Sequence, residues 1–503
     1  MSQAKTLLTA DLFIDGHFCK SESGDTLGVV SPSNGQVIGH VAKGDARDVN
    51  RAVAAAKAAF EQGGWSRAPH SARARVLNRI ADLLEERLEE LFPLETLNNG
   101  RPIQETRAQL KRLPQFFRYN ASLAMTLCTD NIPVEGPYIN YTQRVPLGVV
   151  AILTSFNHPL LILTKCLAPA LASGNSVVIK PSELTPFTTV RLVEIAEQAG
   201  IPKGVINLVN GLGLDVGAPL AAHPDIKKVV FTGGTEVGRS IGQAAASHFA
   251  TSTLELGGKG AVILFDDMDM ERAVNGAAFA AFIGAGQTCV CGSRILVQRS
   301  MCEEFLKRFA EKASKIRYGD PSDPATQLGP VISSKSRDRI LTMLDNAVKE
   351  GAAIVTGGSI PKDAPAEGYY IEPTVLFTED HRAAIAQEEV FGPVTVVIPF
   401  DDEEDAVRIA NDTRFGLGAS VWTKDVERAH RVSSQMLFGM VWINDHHRID
   451  PASPWGGFKD SGYGRESAIQ AYYDHTAVRS VIVNTTGKTA DWYSESDESK
   501  RLN

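Results

Sequence analysis

The order of apolar and polar positions is clearest between residues 147 and 260. Short runs rich in valine and isoleucine alternate there with longer segments in which apolar residues recur at helical spacing. Near-continuous apolar strands that alternate with helices are typical of a parallel sheet covered on both faces. The sequence therefore predicts a parallel α/β domain. Its predicted strands are 148–153, 176–180, 205–209 and 228–231, and its predicted helices are 160–172, 187–199, 214–222 and 237–248.

A second alternation of the same kind follows residue 260, so we expect a second α/β domain. Ligands of such sheets bind beyond the carboxyl ends of the strands, so residues that follow each strand are the first candidates for a site. The predicted strands are 261–265, 295–298, 353–356, 374–377, 394–398, 419–423 and 439–444, and the first predicted helices are 269–283 and 302–316.

The remaining segments flank these two blocks. Residues 12–41 have the pattern of short strands joined by turns, residues 125–146 that of an extended hairpin, and residues 478–483 that of a strand. An isolated hairpin is marginal in water, so we expect this one to pair with another element, such as one from another subunit. From residue 485 the chain is polar and charged, and only partial order is expected. Helices are predicted at 46–60 and 71–92.

Composition and charge narrow the class of protein. A chain of 503 residues is too long for one hydrophobic core, so two or three domains are expected. The formal net charge of −8 argues against a general nucleic-acid or membrane surface, because such surfaces need a basic patch. The six cysteines contain no CxxC pair, which suits a reducing compartment. The chain start lacks a long apolar core and no apolar run could span a bilayer, so we expect a cytoplasmic enzyme.

The segment from Gly286 to Arg294 offers a candidate nucleophile. Cys289 lies there among small residues, between an apolar run and a predicted strand. A cysteine thiolate is a strong nucleophile, and a glycine-flanked backbone lets a substrate approach closely while N–H groups face an oxyanion. The alternative is a small buried core cysteine. Cys291 is either a core neighbour or a redox partner of Cys289. No metal site is expected, because this Cys-x-Cys lacks a second ligand pair.

Upstream, Glu255 lies between leucines and a Gly-Gly pair. It is either a half-exposed carboxylate at a strand end or an acid that works with the nucleophile. In this order and spacing the segments around Glu255 and Cys289 resemble the aldehyde dehydrogenase superfamily, and the resemblance runs from about residue 12 to about residue 484. It implies a Rossmann-like parallel-sheet cofactor domain (1–124 and 147–257), a second α/β catalytic domain (258–458), a small β oligomerisation element (125–146 and 470–486) and a polar tail (487–503).

Two glycine-rich segments are candidates for holding the pyrophosphate of a dinucleotide. Gly213 belongs to a turn that misses the usual G-x-G-x-x-G spacing by one residue, so by itself it is better explained as a plain strand-to-helix turn. Gly233, Gly234 and Gly238 end a predicted strand and open a helix, where backbone N–H groups can meet a phosphate. The resemblance places the cofactor pyrophosphate at this second segment, although many members of the superfamily have a serine where this chain has Gly234.

Lys180 and Glu183 end another predicted strand and could donate to and accept from the hydroxyls of the adenosine ribose. A carboxylate there repels a 2′-phosphate by roughly 1–4 kcal/mol at short range, which favours NAD over NADP. The alternative is a solvated loop pair. The resemblance further implies that Glu389 holds the nicotinamide ribose and that Phe391 packs beside the ring.

Asn157 follows the first predicted strand of the parallel block, and its amide is a neutral donor well suited to an oxyanion. The resemblance implies that Asn157 and the N–H of Cys289 hold this oxyanion. It also implies that the thiolate of Cys289 adds to an aldehyde, that hydride passes to NAD, and that Glu255 activates water to hydrolyse the thioester. A carboxyl buried between leucines has a raised pKa, which suits a base near neutral pH. Members that pass the thioester to coenzyme A generally lack this glutamate, so its presence argues for hydrolysis.

The substrate end of the site is less specific. Residues 442–448 and 453–462 match the substrate-anchor region of the superfamily, with Trp455 where most members have phenylalanine. Phe156 and Trp455 suit an aromatic or apolar substrate body. His446, with His447 and Arg448, either belongs to a surface or interface histidine pair or meets a polar or anionic tail.

Other functions stay open at this point. One is an NADP-dependent or coenzyme A-acylating semialdehyde dehydrogenase, and another is a non-catalytic protein of similar fold, such as a lens crystallin or a binding scaffold. A thiol hydrolase would leave the nucleotide motifs unexplained. The segments 125–146 and 478–483 resemble the assembly elements of the superfamily, so a homodimer or homotetramer is expected. The expected ligands are NAD and a small aldehyde, and the sequence does not identify which aldehyde.

Overall fold

The computed structural model describes residues 7–496, so the predictions for 1–6 and for the end of the polar tail, 497–503, lie outside the described residues. In chain order the strands are β1 (Leu8–Ala10), β2 (Leu12–Ile14), β3 (His17–Cys19), β4 (Thr26–Val30), β5 (Val37–Ala42), β6 (Asn131–Ile132), β7 (Tyr138–Pro146), β8 (Val149–Leu153), β9 (Ser176–Lys180), β10 (Ile206–Leu208), β11 (Ile226–Thr232), β12 (Thr251–Glu255), β13 (Ala261–Leu264), β14 (Arg294–Gln298), β15 (Ala353–Thr356), β16 (Thr374–Phe377), β17 (Val394–Phe400), β18 (Phe415–Gly416), β19 (Gly418–Trp422), β20 (Met440–Ile443), β21 (Phe458–Lys459), β22 (Gly462–Tyr463) and β23 (Thr476–Asn484).

Helices connect most of these strands, and a π-helical turn (Gly213–Gly217) and a 3-10 turn (Ile283–Gly286) lie between them. The α-helices are α1 (Ala46–Glu61), α2 (His70–Glu86), α3 (Leu88–Asn99), α4 (Ile103–Leu110), α5 (Leu113–Thr126), α6 (Pro159–Ala172), α7 (Phe187–Gln198), α8 (Ala218–Ala221), α9 (Thr235–Ala246), α10 (Met270–Phe282), α11 (Arg299–Ser314), α12 (Ser334–Lys349), α13 (Ala384–Gln387), α14 (Glu403–Asn411), α15 (Val426–Gln435) and α16 (Ala468–Asp474).

The first large sheet of the described chain has the strand order β22-β12-β11-β8-β9-β10-β2-β3. Its central strands, from β12 to β10, run parallel to one another. Alternate residues of β8 enter two separate apolar clusters: Val150 and Ile152 face one, Val149 and Ala151 the other. Both faces of the sheet are therefore covered, which explains why its strands are apolar throughout. The predicted parallel α/β domain is confirmed, and the carboxyl ends of these strands share one edge.

Strand β12 is absent from the sequence-based prediction. Its segment, Thr251–Glu255, consists mainly of polar residues and lacks the valine-rich pattern of its neighbours. In the structure it pairs in parallel with β11, with Thr232 opposite Glu255. This pairing places Glu255 at the carboxyl end of the sheet, where ligands of parallel sheets bind.

The second large sheet has the order β15-β16-β17-β14-β13-β19-β20 and is parallel apart from β15. Its central strand β13 again divides its side chains between two clusters, with Ala261 and Ile263 on one face and Val262 and Leu264 on the other. The prediction of a second α/β unit is thus confirmed.

A small third sheet has the order β23-β7-β6. The predicted hairpin at 125–146 is only a short pairing of β6 with β7. The main partner of β7 is β23 of the same chain, which pairs from Thr476 opposite Pro146 to Asn484 opposite Tyr138. The hairpin therefore pairs with another element, as expected, and that element belongs to the same chain. The side chains of Val478, Ile482 and Val483 on β23 remain exposed.

Other boundaries differ from the prediction in detail. The helix predicted at 71–92 is two helices, because α2 ends and α3 begins around Arg87. The segment 468–474, which the predicted oligomerisation element partly includes, is the helix α16, and it packs against α6 beside the first sheet. The domain limits given above otherwise stay predictions. Within residues 7–496, no helix combines the length and the apolar character that a membrane span needs.

Candidate active site

A narrow cleft of about 170 Å³ lies at the carboxyl edge of the first sheet, between the loops that follow β8, β11 and β12 and two loops from the second α/β unit. It brings together residues that the sequence singled out from segments far apart in the chain. The predicted residues that line it are Phe156, Asn157, Gly233, Gly234, Glu255, Cys289, Glu389 and Phe391.

The loop that carries Cys289 follows α10 through a tight left-handed turn. Gly284, Ala285 and Gly286 all have positive φ, from 55° to 66°, and a side chain at Gly286 would overlap the Gly392 carbonyl. Such a backbone is costly for any residue other than glycine, so the surrounding structure must impose it at Ala285. Two residues after Cys289, the buried thiol of Cys291 donates to the Ala281 carbonyl at 3.2 Å. Cys291 therefore fits the alternative of a core neighbour.

Two consecutive hydrogen bonds join this loop to the loop that follows β8. The amide of Asn157 donates to the Gln287 carbonyl at 3.0 Å, and the Nε2 atom of His158 lies 3.1 Å from the Thr288 hydroxyl. Both Asn157 and His158 are buried. The bond to Gln287 uses one N–H of the Asn157 amide and leaves the second for a ligand. Burial lowers the pKa of His158 well below its usual value, so the ring is neutral.

The side chain of Glu255 is only 3 % exposed, and neither carboxylate oxygen has a hydrogen-bond partner in the part of the chain that the structure describes. Burial, with the nearby Glu466 carboxylate, raises the pKa of Glu255 well above its usual value. The carboxyl is therefore neither a half-exposed strand end nor a member of an ion pair. A buried, unpartnered carboxyl beside a nucleophile has the properties of a general base or acid.

Behind Glu255 lies an ion pair that sequence reasoning missed. The ammonium of Lys165 on α6 is 2.7 Å from Glu466, and both side chains are almost fully buried. The thiol of Cys166 also donates to Glu466, at 3.3 Å. Burial alone would lower the pKa of Lys165, but the carboxylates of Glu466 and Glu255 outweigh it and raise the pKa. The available signal was a lysine inside the otherwise apolar helix Pro159–Ala172.

The thiol of Cys289 is poorly acidic in this setting. Burial and the neighbouring Glu255 raise its pKa to about 12, while Lys165 acts in the opposite direction. The thiol is therefore protonated at neutral pH, and the pKa must fall or a base must take the proton before attack.

Glycines let the backbone approach the site closely. The N–H of Gly258 donates to Glu389 at 2.9 Å, a side chain at Gly257 would overlap the Glu389 carboxylate, and one at Gly258 would overlap the Cys289 carbonyl. Burial raises the pKa of Glu389 to about 7, although the hydrogen bond from the Gly258 N–H acts to lower it. These contacts give a physical reason for the Gly-Gly pair after Glu255.

Phe391 has a φ of 51° and packs edge-on against Phe156, with ring centroids 5.7 Å apart. Both rings line the cleft. Phe156 therefore lies next to Phe391, the residue expected to pack beside the nicotinamide ring. It does not line the cavity that Trp455 lines. That Phe156 and Trp455 suit an aromatic or apolar substrate body stays a prediction.

The other predicted cofactor residues lie outside the cleft. Lys180 ends β9, and its ammonium is bound by the Pro181 carbonyl at 2.8 Å and by Glu183 at 3.1 Å. Burial lowers the pKa of Lys180, and Glu183 acts against this. Gly238 lies on α9 against Leu256, and Gly213 is exposed at the start of its turn. Their roles stay predictions.

His446 is buried at 3 % exposure, whereas the sequence left a surface pair open. Its Nε2 donates to the Val290 carbonyl at 2.7 Å, and its Nδ1 lies 3.1 Å from the Ser420 hydroxyl. Neither ring nitrogen of His446 is available to a substrate in this geometry, so the predicted substrate contact is not supported. The side chain instead holds the loop that carries Cys289.

Trp455 lies beside the nucleophile on another wall. It belongs to an apolar cluster with Val290 and Met440, against which Cys289 and Trp442 pack. A further cavity of about 400 Å³ opens along Trp442 and Trp455 and shares no lining residue with the cleft. Across residues 7–496, no group of three or more His, Cys, Asp or Glu side chains could hold a metal ion.

Comparison with known proteins agrees with this arrangement. Residues 18–481 match the profile of the aldehyde dehydrogenase family. The chain is 41% identical to phenylacetaldehyde dehydrogenase of Pseudomonas fluorescens, over 95% of this chain and 96% of that protein.

Two solved structures extend the comparison. The chain is 40% identical to betaine aldehyde dehydrogenase of Staphylococcus aureus, solved with NAD+, with a TM-score of 0.95 and 96% of each chain covered. It is 45% identical to PnpE of Pseudomonas sp. WBC-3, with a TM-score of 0.94 and coverage of 97% of this chain and 100% of that one. The protein belongs to the aldehyde dehydrogenase family.

Proposed function

We propose that this protein uses NAD to oxidise an aldehyde to the carboxylic acid, through a thiohemiacetal and a thioester on Cys289, and that Glu255 is the general base for hydrolysis. The observation that carries the proposal is the cleft itself. It places a thiol, an amide donor and a buried carboxyl without partners around one small space. Those three groups are what addition to a carbonyl, stabilisation of an oxyanion and activation of water require.

The residues around the cleft fit a dinucleotide. Open space lies beyond Gly234, and α9 begins at the next residue, so its first N–H groups are free of helical partners and can meet a phosphate. Lys180 and Glu183 supply a donor and an acceptor for ribose hydroxyls, and the carboxylate disfavours a 2′-phosphate. Glu389 would take the second ribose. NAD is also named as the bound ligand of the staphylococcal relative. The chemistry that NAD supplies when bound is acceptance of a hydride from the reacting carbon.

Addition of Cys289 to the aldehyde carbon moves negative charge onto the carbonyl oxygen. The free N–H of Asn157 and the backbone N–H of Cys289 are the proposed donors to that oxygen, and removing one such donor typically costs about 3–4 kcal/mol of barrier. The charge of Lys165 favours the thiolate of Cys289. The raised pKa of Glu255 favours its protonated form, which removes a charge that would oppose the thiolate.

Hydrolysis of the thioester needs a base that accepts a proton from water. Glu255 lines the cleft and its carboxylate has no hydrogen-bond partner in the described part of the chain, so it is the group we assign to this step. The ion pair of Lys165 and Glu466 lies next to it and is coupled to it by charge. Within this pair, Glu466 favours the protonated form of Glu255 and Lys165 favours the ionised form, so we infer that the pair sets the balance between the two forms.

We also propose that the protein forms a homodimer or a homotetramer. The strand β23 is an edge of the small sheet and presents Val478, Ile482 and Val483 to solvent. An exposed edge with apolar side chains is a site for pairing with another chain. Size-exclusion chromatography with light scattering would test this, and a monomeric mass would contradict it.

The decisive experiment follows NADH absorbance when the purified protein meets NAD and a set of aldehydes. Cys289→Ala should abolish turnover, because the alanine cannot form the thioester. Cys291→Ala, two residues away and buried, is the matched control and should retain turnover. Full turnover by Cys289→Ala would disprove the mechanism. Mass spectrometry of the acid product, without coenzyme A present, separates hydrolysis from acylation.

A further inference from the structure

The helix α4 is attached to the start of the loop that carries Cys289. We call residues 284–289 the nucleophile loop. The first N–H of this loop, that of Gly284, is bound by both carboxylate oxygens of Glu105 on α4, at 3.1 and 3.2 Å. The next residue, Ala285, has a left-handed φ of 55°, which persists at a residue with a side chain only where the surrounding structure imposes it. The contact with Glu105 fixes the point where this strained turn begins.

The far end of the nucleophile loop is attached to α4 by a chain of hydrogen bonds whose direction can be worked out. A guanidinium only donates, so the Nη1 atom of Arg101, 2.7 Å from the side-chain oxygen of Gln109, makes that oxygen an acceptor. Both ends of the Gln109 amide lie near Nδ1 of His158, at 3.0 Å for the nitrogen and 3.2 Å for the oxygen. Because the oxygen already accepts from Arg101, the nitrogen donates and Nδ1 accepts. Burial and the charge of Arg101 keep His158 neutral by lowering its pKa, so its one proton is on Nε2 and is donated to the Thr288 hydroxyl at 3.1 Å.

Arg101 connects the two attachments. It precedes α4, and its Nε lies 3.4 Å from Glu105 while its Nη1 donates to Gln109. The side chains of Arg101 and Glu105 are only 6 % and 11 % exposed, so little water competes for these contacts. Burial raises the pKa of Glu105, and Arg101 and the Gly284 N–H act in the opposite direction. Loss of Arg101 would therefore weaken the charged form of Glu105 and free the Gln109 amide to turn over.

We propose that Arg101 is a positioning residue that holds both ends of the nucleophile loop, one through Glu105 and the other through Gln109. None of these three side chains lines the cleft, so they act through the loop rather than on substrate or cofactor. A small displacement of a nucleophile lowers the rate of a reaction more than it lowers affinity. The kinetic part of this inference rests on the proposed function, whereas the attachment of the loop does not.

A double-variant cycle tests the chain of hydrogen bonds. Gln109→Leu should lower kcat by roughly fivefold, the effect of about one net hydrogen bond, with little change in KM. His158→Phe interrupts the same chain, so the double variant should also lose only roughly fivefold, whereas independent effects would multiply to about 25-fold. Gln104→Leu, at an exposed position of the same helix, is the matched control and should retain the wild-type kcat.

Arg101→Met removes both attachments and should lower kcat by at least roughly tenfold, because a buried charged bond is lost as well. Arg101→Lys supplies another cation that only donates and should recover part of the loss. Arg107→Met, an exposed arginine of α4, is the control for this pair.

Hydrogen exchange followed by mass spectrometry tests the attachment without aldehyde or NAD. Peptides that span the nucleophile loop should exchange faster in Arg101→Met and in Gln109→Leu than in the wild type, because local opening becomes easier. Peptides from the core strand β9 should be unchanged. If Arg101→Met does not fold, Gln109→Leu, which removes only a neutral side chain, still gives the comparison.

Unchanged exchange of the nucleophile loop in the folded variants would overturn the inference. A loss of about 25-fold in the double variant would show that the two bonds are independent, and a change in KM alone would show contact with substrate. Either result would also overturn it. If no aldehyde reduces NAD with the wild-type protein, the proposed function fails, and the exchange rates still decide whether Arg101 holds the loop.

Discussion

Cys289 lies between two spaces that are built from different parts of the chain. The cleft at the edge of the first sheet is formed largely by backbone, with Gly233, Gly234 and Gly257 bringing main-chain atoms close to the site. The cavity on the other wall is formed by large side chains such as Trp442, Arg448 and Trp455. A space built from backbone admits few substitutions, whereas one built from side chains can change shape and charge one residue at a time.

This difference has a consequence for function. In the proposed reaction the cleft receives the cofactor. We call the reacting groups Asn157, Glu255 and Cys289 the boundary residues: all three line the cleft, and Cys289 also packs against the apolar cluster that contains Trp455. Substitutions of the boundary residues should therefore affect chemistry, and those in the glycine-rich part of the cleft should affect stability or cofactor affinity.

The largest effect is expected at the boundary. Glu255→Gln should lower steady-state kcat by roughly 10²–10⁴-fold, the range of a general base, while the first turnover still produces a burst of NADH. Because burial raises the pKa of Glu255, its basic form increases as pH rises, so wild-type kcat should rise with pH and the variant should lose that rise. Stopped-flow absorbance across pH measures both.

The burst itself is the control for this variant. Its pH dependence reports the thiol of Cys289, whose pKa is raised to about 12 by burial and by the Glu255 carboxylate, so in the variant it should shift toward lower pH. A Glu255→Gln protein with wild-type steady-state turnover would show that the boundary assigned here is wrong.

A smaller effect is expected on the helix α9, which begins at the edge of the cleft. A side chain at Gly238 would overlap Leu256, next to Glu255, whereas Gly234 has open space and an ordinary φ of −68°. Gly238→Ala should destabilise the folded protein by about 1–3 kcal/mol, the usual cost of overpacking, reduced by the better helix propensity of alanine. Gly234→Ala is the matched control. Thermal unfolding without cofactor compares them, and equal Tm values would contradict the close packing described here.

The smallest effect is expected at His158, which links the two loops at the boundary through Thr288 and is held on its other nitrogen by Gln109. His158→Phe removes these bonds, and at about 1 kcal/mol for one net bond kcat should fall by roughly fivefold, with less change in KM. His158→Gln should restore part of the loss, and the exposed His430→Phe should change nothing. A change in KM alone would show that His158 contacts substrate rather than positioning the nucleophile loop.

The elements that the sequence predicted best were those with strong periodicity. The strand at 176–180 and the alternation around it agree with β9 and its neighbours, because buried parallel strands must be apolar on both faces. Strand β12 escaped prediction since its polar residues carry no such pattern, and only its pairing with β11 makes it a strand. The break between α2 and α3 escaped for a related reason, because apolar spacing continues across it.

The residues of the site also divide into those that a local motif predicts and those that only the fold brings together. Segments around Asn157, Glu255 and Cys289 could be found from local motifs, and the structure brings these residues to one cleft. The pair of Lys165 and Glu466 could not, because the two residues are far apart in the chain and a lysine in an apolar helix does not show which acid it will meet. The burial of His446 against the Val290 carbonyl could not be predicted either, because a histidine in a loop gives no sign of which carbonyl it will meet.

By itself, the sequence determined the two α/β units and the residues able to act as nucleophile, amide donor and base, because these depend on local periodicity and on side-chain chemistry. Only the tertiary structure decided that the Glu255 carboxylate has no hydrogen-bond partner among residues 7–496 and that Lys165 covers one face of Trp455. Burial and charge pairing depend on which distant segments meet, and no single stretch of chain contains that information.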